Sequence, residues 1–335
     1  MCRDRREDQY CMKVLITGAS GFIGSHLAES LLSDGCEVSC LVRNASARRW
    51  LEGLSVQRIY GDCSDKESLN NLRDFEYVFH LSGLTKSNCK EDFYTVNTKA
   101  TENIIDAVVK NNPRIKRFVY MSSLSAFGPN LNGKLVSEDR SPCPVSDYGK
   151  SKLLGEEAVL KYKDIIPVSI LRPTAVYGPR DSEMFLLFKF VNTGFLPYWG
   201  ETRISLVYIE DLIKALRLTA EKEEAIGETF FISDGMTYSN VEIIDEIASA
   251  LQKARVIKLR LPKTILPVMG AIGDGLSKIT NRTTMINRDK IKELMHTDWR
   301  CDISNAKNKL GFTPKVGIKE GIKWTADWYK IHRWL

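Results

Sequence analysis

Tyr148 and Lys152 stand four residues apart in "SDYGKSKLLGEE", at what reads as the start of a helix just after Pro142 and Pro144. Residues at i and i+4 share a helix face. A free phenol titrates at about 10, and a neighbouring ammonium favours its charged form. A tyrosine tuned in this way takes a proton from an alcohol, or gives one to a carbonyl, while a hydride moves to or from a nicotinamide. Lys150 points elsewhere, which leaves Lys152 as the meaningful partner. The substrate oxygen needs a second donor, and "YMSSLSAFGP" offers Ser122 and Ser123 at the end of an expected strand. A solvated helix face with a stray aromatic has the same spacing, so the remaining sequence must decide.

The stretch "TGASGFIGSHLAESLL" places Gly18, Gly21 and Gly24 directly after an apolar strand and across a helix start. The first glycine permits a tight turn, the second lets backbone approach a pyrophosphate, and the third lets helix pack on strand. The anion then sits at the helix N-terminus. Ser20, Phe22 and Ile23 lie in the same loop and are counted with the cofactor-binding residues. Beyond the second strand, "LVRNASARR" carries Arg43 and no carboxylate between Ser39 and Arg49. An acidic residue there selects NAD and an arginine accommodates a 2′-phosphate, so NADP is favoured over NAD. The plainer alternative is a solvent-facing arginine stacked on adenine. Asp62 and its neighbour Cys63 in "YGDCSD" are counted with the cofactor-binding residues, Asp62 being placed to accept from the adenine amino group, or equally to cap the next helix.

These residues need a scaffold. Short apolar runs at 13–18, 36–42, 56–61, 77–83, 117–123 and 167–173 read as buried strands, with helices such as 94–111 and 148–163 between them. Strands alternating with helices imply right-handed βαβ units. The expected fold is α/β, a Rossmann-type doubly wound parallel sheet with a smaller, interleaved C-terminal substrate lobe. Residues 12–178 and about 204–250 are assigned to the NAD(P)-binding unit, and about 179–203 and 251–335 to the lobe. Phe185, Phe188, Phe190, Phe195, Tyr198 and Trp199 are read as core of that lobe in preference to pocket lining. "ILPVMGAIGDGL" (265–276) is read as a buried helix in preference to a segment resting on a membrane surface.

Composition narrows the function classes. With 335 residues, 43% apolar and 27% charged, the chain is long enough for a large core and ordinary for a soluble protein. Its net charge of +6 reads as spread along the chain, which argues against nucleic acid as a partner. Eight cysteines without CxxC spacing and four ungrouped histidines argue against a metal site and for reduced thiols in a cytoplasm. Residues 1–11, polar and highly charged, read as a disordered extension, and no apolar run is long enough to span a membrane.

Together, TGxxGxxG, a serine ending the fifth strand, YxxxK and "LRPTAVYGP" (171–179) resemble the extended short-chain dehydrogenase/reductase superfamily of NAD(P)-dependent epimerases, dehydratases and reductases. The resemblance runs from about Met12 to the C-terminus. It implies that Tyr148 is the acid/base, that Lys152 lowers its pKa and holds the nicotinamide ribose, and that Ser123, not Ser122, contacts substrate. It further implies that Asn97 helps organise the site, that Leu81, Ser82 and Gly83 line the cofactor, and that Pro173 to Val176 approach the nicotinamide. The leading reading is a nucleotide-sugar 4-epimerase-like enzyme. The alternative is an NADPH-dependent reductase or dehydrogenase of dihydroflavonol-reductase or 3β-hydroxysteroid type, and the third is a non-catalytic nucleotide-binding protein. Leu124 and Ser125 stand where the superfamily's 4,6-dehydratases carry an acidic pair, so dehydration is not expected. Arg203 lies eight residues before Asp211 where the sugar-nucleotide pattern has seven, with Ile204 at the expected place. The expected partners are a small-molecule substrate (nucleotide sugar, or bulky ketone or alcohol) and a second copy in a homodimer.

Overall fold

Apolar runs too short for helices, each followed by a helical stretch, stack side by side as one sheet. The computed structural model describes residues 12–43, 50–280, 284 and 287–335. The expected extension 1–11 and residues 44–49 of the ribose-reading stretch lie outside the described residues.

The first half runs Lys13–Thr17 (β1), Phe22–Ser33 (α1), Glu37–Val42 (β2), Gln57–Tyr60 (β3), Tyr77–His80 (β4), Lys90–Phe93 (α2), Ala100–Asn111 (α3), Arg117–Met121 (β5), Leu124–Phe127 (α4), Asp147–Leu160 (α5) and Val168–Pro173 (β6). A π-helical stretch, Tyr94–Lys99, joins α2 to α3. The second half runs Ala175–Tyr177 (β7), Ser182–Thr193 (α6), Phe195–Tyr198 (β8), Arg203–Ile204 (β9), Leu206–Tyr208 (β10), Ile209–Glu221 (α7), Thr229–Ile232 (β11), Tyr238–Ser239 (β12), Asn240–Ala250 (α8), Ile257–Arg260 (β13), Leu266–Thr280 (α9), Arg288–Leu294 (α10), Asp298–Trp299 (β14), Ser304–Leu310 (α11) and Ile318–Ile331 (α12).

Seven strands form the main sheet in the order β11-β6-β5-β4-β1-β2-β3. Every adjacent pair is parallel. Helices cover both faces, so alternate residues of a strand enter two separate cores. Val14 and Ile16 pack into one and Leu15 into the other. Such strands read as continuous apolar runs. The strand order reverses between β1 and β4, and the crevice outside their C-terminal ends is where open α/β sheets bind ligands. The expected doubly wound sheet is present, and β11 joins it from beyond the small elements β7 to β10.

The C-terminal elements pack around α12, which meets α8 and β10. Phe188 is fully buried, and Phe185 lies 5.0 Å from Tyr329 and 5.1 Å from Trp334. Phe190 and Phe195 are exposed, so the core reading of this aromatic run holds for only part of it. The buried-helix reading of 265–276 is corrected more sharply. Helix α9 turns Gly270, Gly273 and Ser277 inward, while Val268, Ile272 and Leu276 are more than half exposed. Its small residues lie close to α10, so the large apolar side chains are left facing outward.

Candidate active site

The turn after β1 is set by contacts that only glycine permits. Gly18 has φ +70°, and a Cβ there would stand 2.7 Å from the Ser82 nitrogen. A Cβ on Gly24 would stand 2.3 Å from the Gly18 carbonyl oxygen. The loop after β1 is thereby pressed against Leu81 and Ser82, which follow β4. Gly21 is the N-cap of α1, and among the described residues no side chain caps that helix. Its first N–H groups therefore point from the switch point with no side-chain acceptor on them, as a pyrophosphate site requires. Ser20, Phe22 and Ile23 are half-buried around this turn, and Leu81 is buried while Gly83 is exposed. The glycine turn and the Leu81–Gly83 segment together fit a dinucleotide.

A buried relay ties this crevice to α5, the helix that carries Tyr148 and Lys152. His80 meets Thr17 Oγ1 at 2.6 Å through Nδ1 and Thr101 Oγ1 at 3.0 Å through Nε2. Burial pushes its imidazole down to about 3, so the ring is neutral. The Thr101 hydroxyl donates to the Asn97 carbonyl at 2.8 Å. Asn97 is fully buried within the π-helical stretch. Its Oδ1 accepts from the Leu84 N–H at 2.7 Å, and its Nδ2 donates to Ser151 Oγ of α5 at 2.9 Å. Asn97 thus joins the loop after β4 to the helix carrying Tyr148 and Lys152.

Helix α5 starts where Ser146 Oγ accepts from the Gly149 N–H at 3.0 Å. Tyr148 follows in the first turn, half-buried, with its ring 6.1 Å from that of Phe93. Burial pushes its phenol up to about 12, with Ser123 and Lys290 acting to lower it, so the expected lowering by Lys152 is not what sets this phenol. Ser123 is half-buried and caps α4, its Oγ accepting from the Ser125 N–H at 3.1 Å. Ser122 is buried, and its Oγ has no hydrogen-bond partner among the described residues. Lys152 is buried one turn on from Tyr148; its Nζ donates to the Met121 carbonyl at 2.7 Å and lies 4.3 Å from the Tyr120 ring centre. Burial lowers this amine to about 7, with Glu156 opposing. Glu156 itself is held by Arg172 of β6 through two contacts, 2.9 and 2.6 Å.

Other expected residues are placed as follows. Arg43 is exposed immediately beyond β2, near the buried Cys63, whose thiol burial and Asp62 push up to about 12 against the opposing charge of Arg43. Asp62 Oδ1 accepts from the Ser64 N–H at 2.8 Å, which is the turn-capping role. Pro173 is buried at the end of β6, and Val176 is half-buried in β7 beside Val207 of β10. Arg203 is exposed in β9, which pairs with β12 and β14.

Sequence reasoning missed the wall facing Tyr148. A solvent-open cleft there is lined by Thr85, Phe93, Glu183, Asn287, Asp289, Lys290 and Glu293 together with Tyr148. Four of these, Asn287, Asp289, Lys290 and Glu293, come from α10 and the residue before it. Glu293 is buried, and although burial opposes it, Lys290 and the hydroxyls of Ser146 and Ser125 hold its carboxyl below the usual range. No spacing signal connects α10 with α5, because some 140 residues separate them. Among the described residues no group of His, Cys, Asp and Glu is placed to hold a metal ion.

A family model for the NAD dependent epimerase/dehydratase family matches residues 14–233, from β1 to the end of β11. The chain belongs to that family. Family membership makes it an NAD(P)-dependent enzyme of the extended short-chain dehydrogenase type, as the motifs led us to expect. It is 32% identical over 328 residues to a ceramide reductase of Caulobacter vibrioides, with 96% of each chain covered. It is 28% identical over 331 residues to a UDP-glucose 4-epimerase of Vibrio cholerae, with 94% of each covered. Its fold is similar to that of the UDP-glucuronic acid 4-epimerase of Bacillus cereus in complex with UDP-glucuronic acid and NAD. That match has a TM-score of 0.76 at 25% identity and covers 96% of this chain and all of that one. Nucleotide-sugar epimerases are thus among this family member's relatives, in line with the leading sequence reading. Among the described residues no helix is long and apolar enough to cross a membrane.

Proposed function

We infer that the chain moves a hydride between NAD(P) and a secondary alcohol or ketone carbon, with Tyr148 giving or taking the proton on oxygen. The observation that carries this reading is that Ser123, just past the C-terminal end of β5, lies close enough to Tyr148 to favour its phenolate, beside the glycine turn of the switch point. A dinucleotide held by the Gly18–Gly24 turn, the Leu81–Gly83 segment and Lys152 would supply or accept the hydride. Ser123 and Tyr148 present two hydroxyls to one oxygen, which fixes it for attack at its carbon. A phenol held at about 12 is protonated at neutral pH. That is the state needed to protonate a carbonyl oxygen during reduction, while oxidation needs the phenolate. Leu124 and Ser125 offer no acid for elimination. The division into a dinucleotide-binding unit and a substrate lobe is part of this proposal.

For the substrate, the residues of this chain favour net reduction of a ketone on a bulky, amphiphilic molecule. Arg203 is one residue out of step with a diphosphate grip and lies exposed in β9, and Arg43 beyond β2 suits the 2′-phosphate of NADP. The match to a ceramide reductase over nearly the whole chain supports the same reading. Epimerisation of a nucleotide sugar is the second reading, favoured by the Vibrio and Bacillus enzymes.

The test is cofactor accounting with the purified protein. NADPH consumed in step with a keto-ceramide in mixed micelles supports reduction. Interconversion of UDP-sugars with no net cofactor change assigns epimerisation instead. A protein that binds dinucleotide and does neither, across ketone and sugar panels, overturns hydride transfer.

A further inference from the structure

We propose that the outward face of α9 in the C-terminal lobe, with the exposed side of the preceding β13, rests on an anionic lipid surface. Four large apolar side chains of α9 are exposed: Val268 (59%), Ile272 (56%), Leu276 (51%) and Ile279 (82%). At helical pitch they fall on one stripe about 80° wide. Ile257 and Leu259 of β13, on one side of the strand that leads into this helix, are exposed as well. A row of this kind is more than the scattered apolar exposure of an ordinary surface.

Charge identifies the occupant. Residues 247–288 contain eight Lys and Arg (253, 255, 258, 260, 263, 278, 282 and 288) against one acid, Asp274. The segment carries a net +7, or +4 with the flanking Asp245, Glu246 and Asp289 counted, against +6 for the whole chain; Lys258 is paired with Asp245 and Arg288 with Asp274. The basic residues are concentrated here, where the sequence reading had them spread. Lys253, Arg255 and Arg260 are exposed in and before β13, next in sequence to Ile257 and Leu259, and Arg288, paired with Asp274 of α9, is exposed as well. An apolar stripe rimmed by basic side chains is the pattern of a helix lying in the plane of an anionic bilayer.

The face adjoins the cleft. Ile291 of α10 packs on Gly270 of α9, and the Arg288 N–H donates to Asp274 at 3.3 Å. The other side of α10 supplies Asp289, Lys290 and Glu293 to the wall beside Tyr148. A bilayer beneath α9 would thus lie one helix away from the acid/base. The contact follows from α9 and its charge whatever the substrate is.

Co-sedimentation with vesicles tests it. The full chain should pellet with phosphatidylcholine vesicles containing about a third phosphatidylglycerol, and release as salt rises. Ile272→Asp/Ile279→Asp should bind about tenfold more weakly or worse, with unchanged Tm and dinucleotide affinity. Arg255→Glu/Arg260→Glu should lose the anionic-lipid preference. No pelleting of wild type, or equal pelleting of the Asp variant, overturns the proposal. So does a wild-type dimer that fails to pellet and falls apart in the Asp variant, because the face then belongs to a second copy. Binding is read without turnover, so its failure is distinct from failure of the functional reading.

Discussion

Asp289 caps the helix that carries Tyr148. Its two carboxylate oxygens accept from the N–H groups of Asp147 at 2.7 Å and Tyr148 at 3.1 Å. A carboxylate at a helix N-terminus satisfies orphan donors and complements the dipole. Lys292 adds contacts of 2.6 Å to Asp147 and 3.1 Å to Asp289. The position of the phenol is therefore set from the far end of the chain.

Removing that cap should loosen the first turn of α5. Asp289→Ala is expected to cost about 0.5–2 kcal/mol of stability. It should also lower kcat about tenfold, because a small displacement of the acid/base is expensive. Steady-state kinetics and thermal melts check both, and dinucleotide affinity should not move. Unchanged kcat in a folded variant would show that the cap is purely structural.

Arg43 should select the cofactor. We expect NADPH to bind more tightly than NADH, and Arg43→Asp to reduce or reverse the preference by about tenfold. Titration of both cofactors into both proteins gives the answer, and equal affinities in the parent would remove Arg43 from the site.

Lys152 should reveal its lowered pKa when a dinucleotide binds. Burial holds the free amine at about 7, so it is mostly uncharged at pH 8 and mostly charged at pH 6. If binding needs the ammonium, calorimetry in buffers of different ionisation enthalpy will show proton uptake at pH 8 and little at pH 6. Lys152→Met should abolish the uptake, and its persistence in that variant would point to another group.

His80 should make the fold acid-sensitive. Its folded pKa of about 3 lies below the ordinary 6.5, so between these values the unfolded chain binds a proton that the folded chain refuses. Stability should therefore fall as pH drops from about 6.5 towards 3, by up to a few kcal/mol from this group. Urea melts at pH 7 and pH 4.5 will measure the loss. His80→Gln should show a shallower pH dependence, whatever its absolute stability.

Much of this was legible in the sequence because the signals are local. The strands of 13–173 stand out as apolar runs, since a parallel sheet buries both faces. The glycines at 18, 21 and 24 are dictated by contacts within a few residues of the turn and one neighbouring strand. Ser123, Tyr148 and Lys152 sit at element ends that these runs already mark. Asp289 and Glu293 were invisible because a seven-residue helix with mixed charges has no distinctive spacing, and its partners are remote. The outward face of α9 was misread for a related reason. Apolar periodicity announces a helix without saying which side meets the body, and here Gly270, Gly273 and Ser277 form the packed side. The charge asymmetry of 247–288 was present in the sequence and would have been found by windowed counting.

The role proposed for Tyr148 is to move the proton while hydride moves to or from the substrate carbon. The most direct measurement is single-turnover hydride transfer in Tyr148→Phe, with dinucleotide bound and the accepted substrate saturating. The ring is kept and the proton is lost, so the account predicts an unchanged fold and cofactor affinity with transfer slowed about 10²–10⁴-fold. Transfer at the wild-type rate in that variant would contradict it.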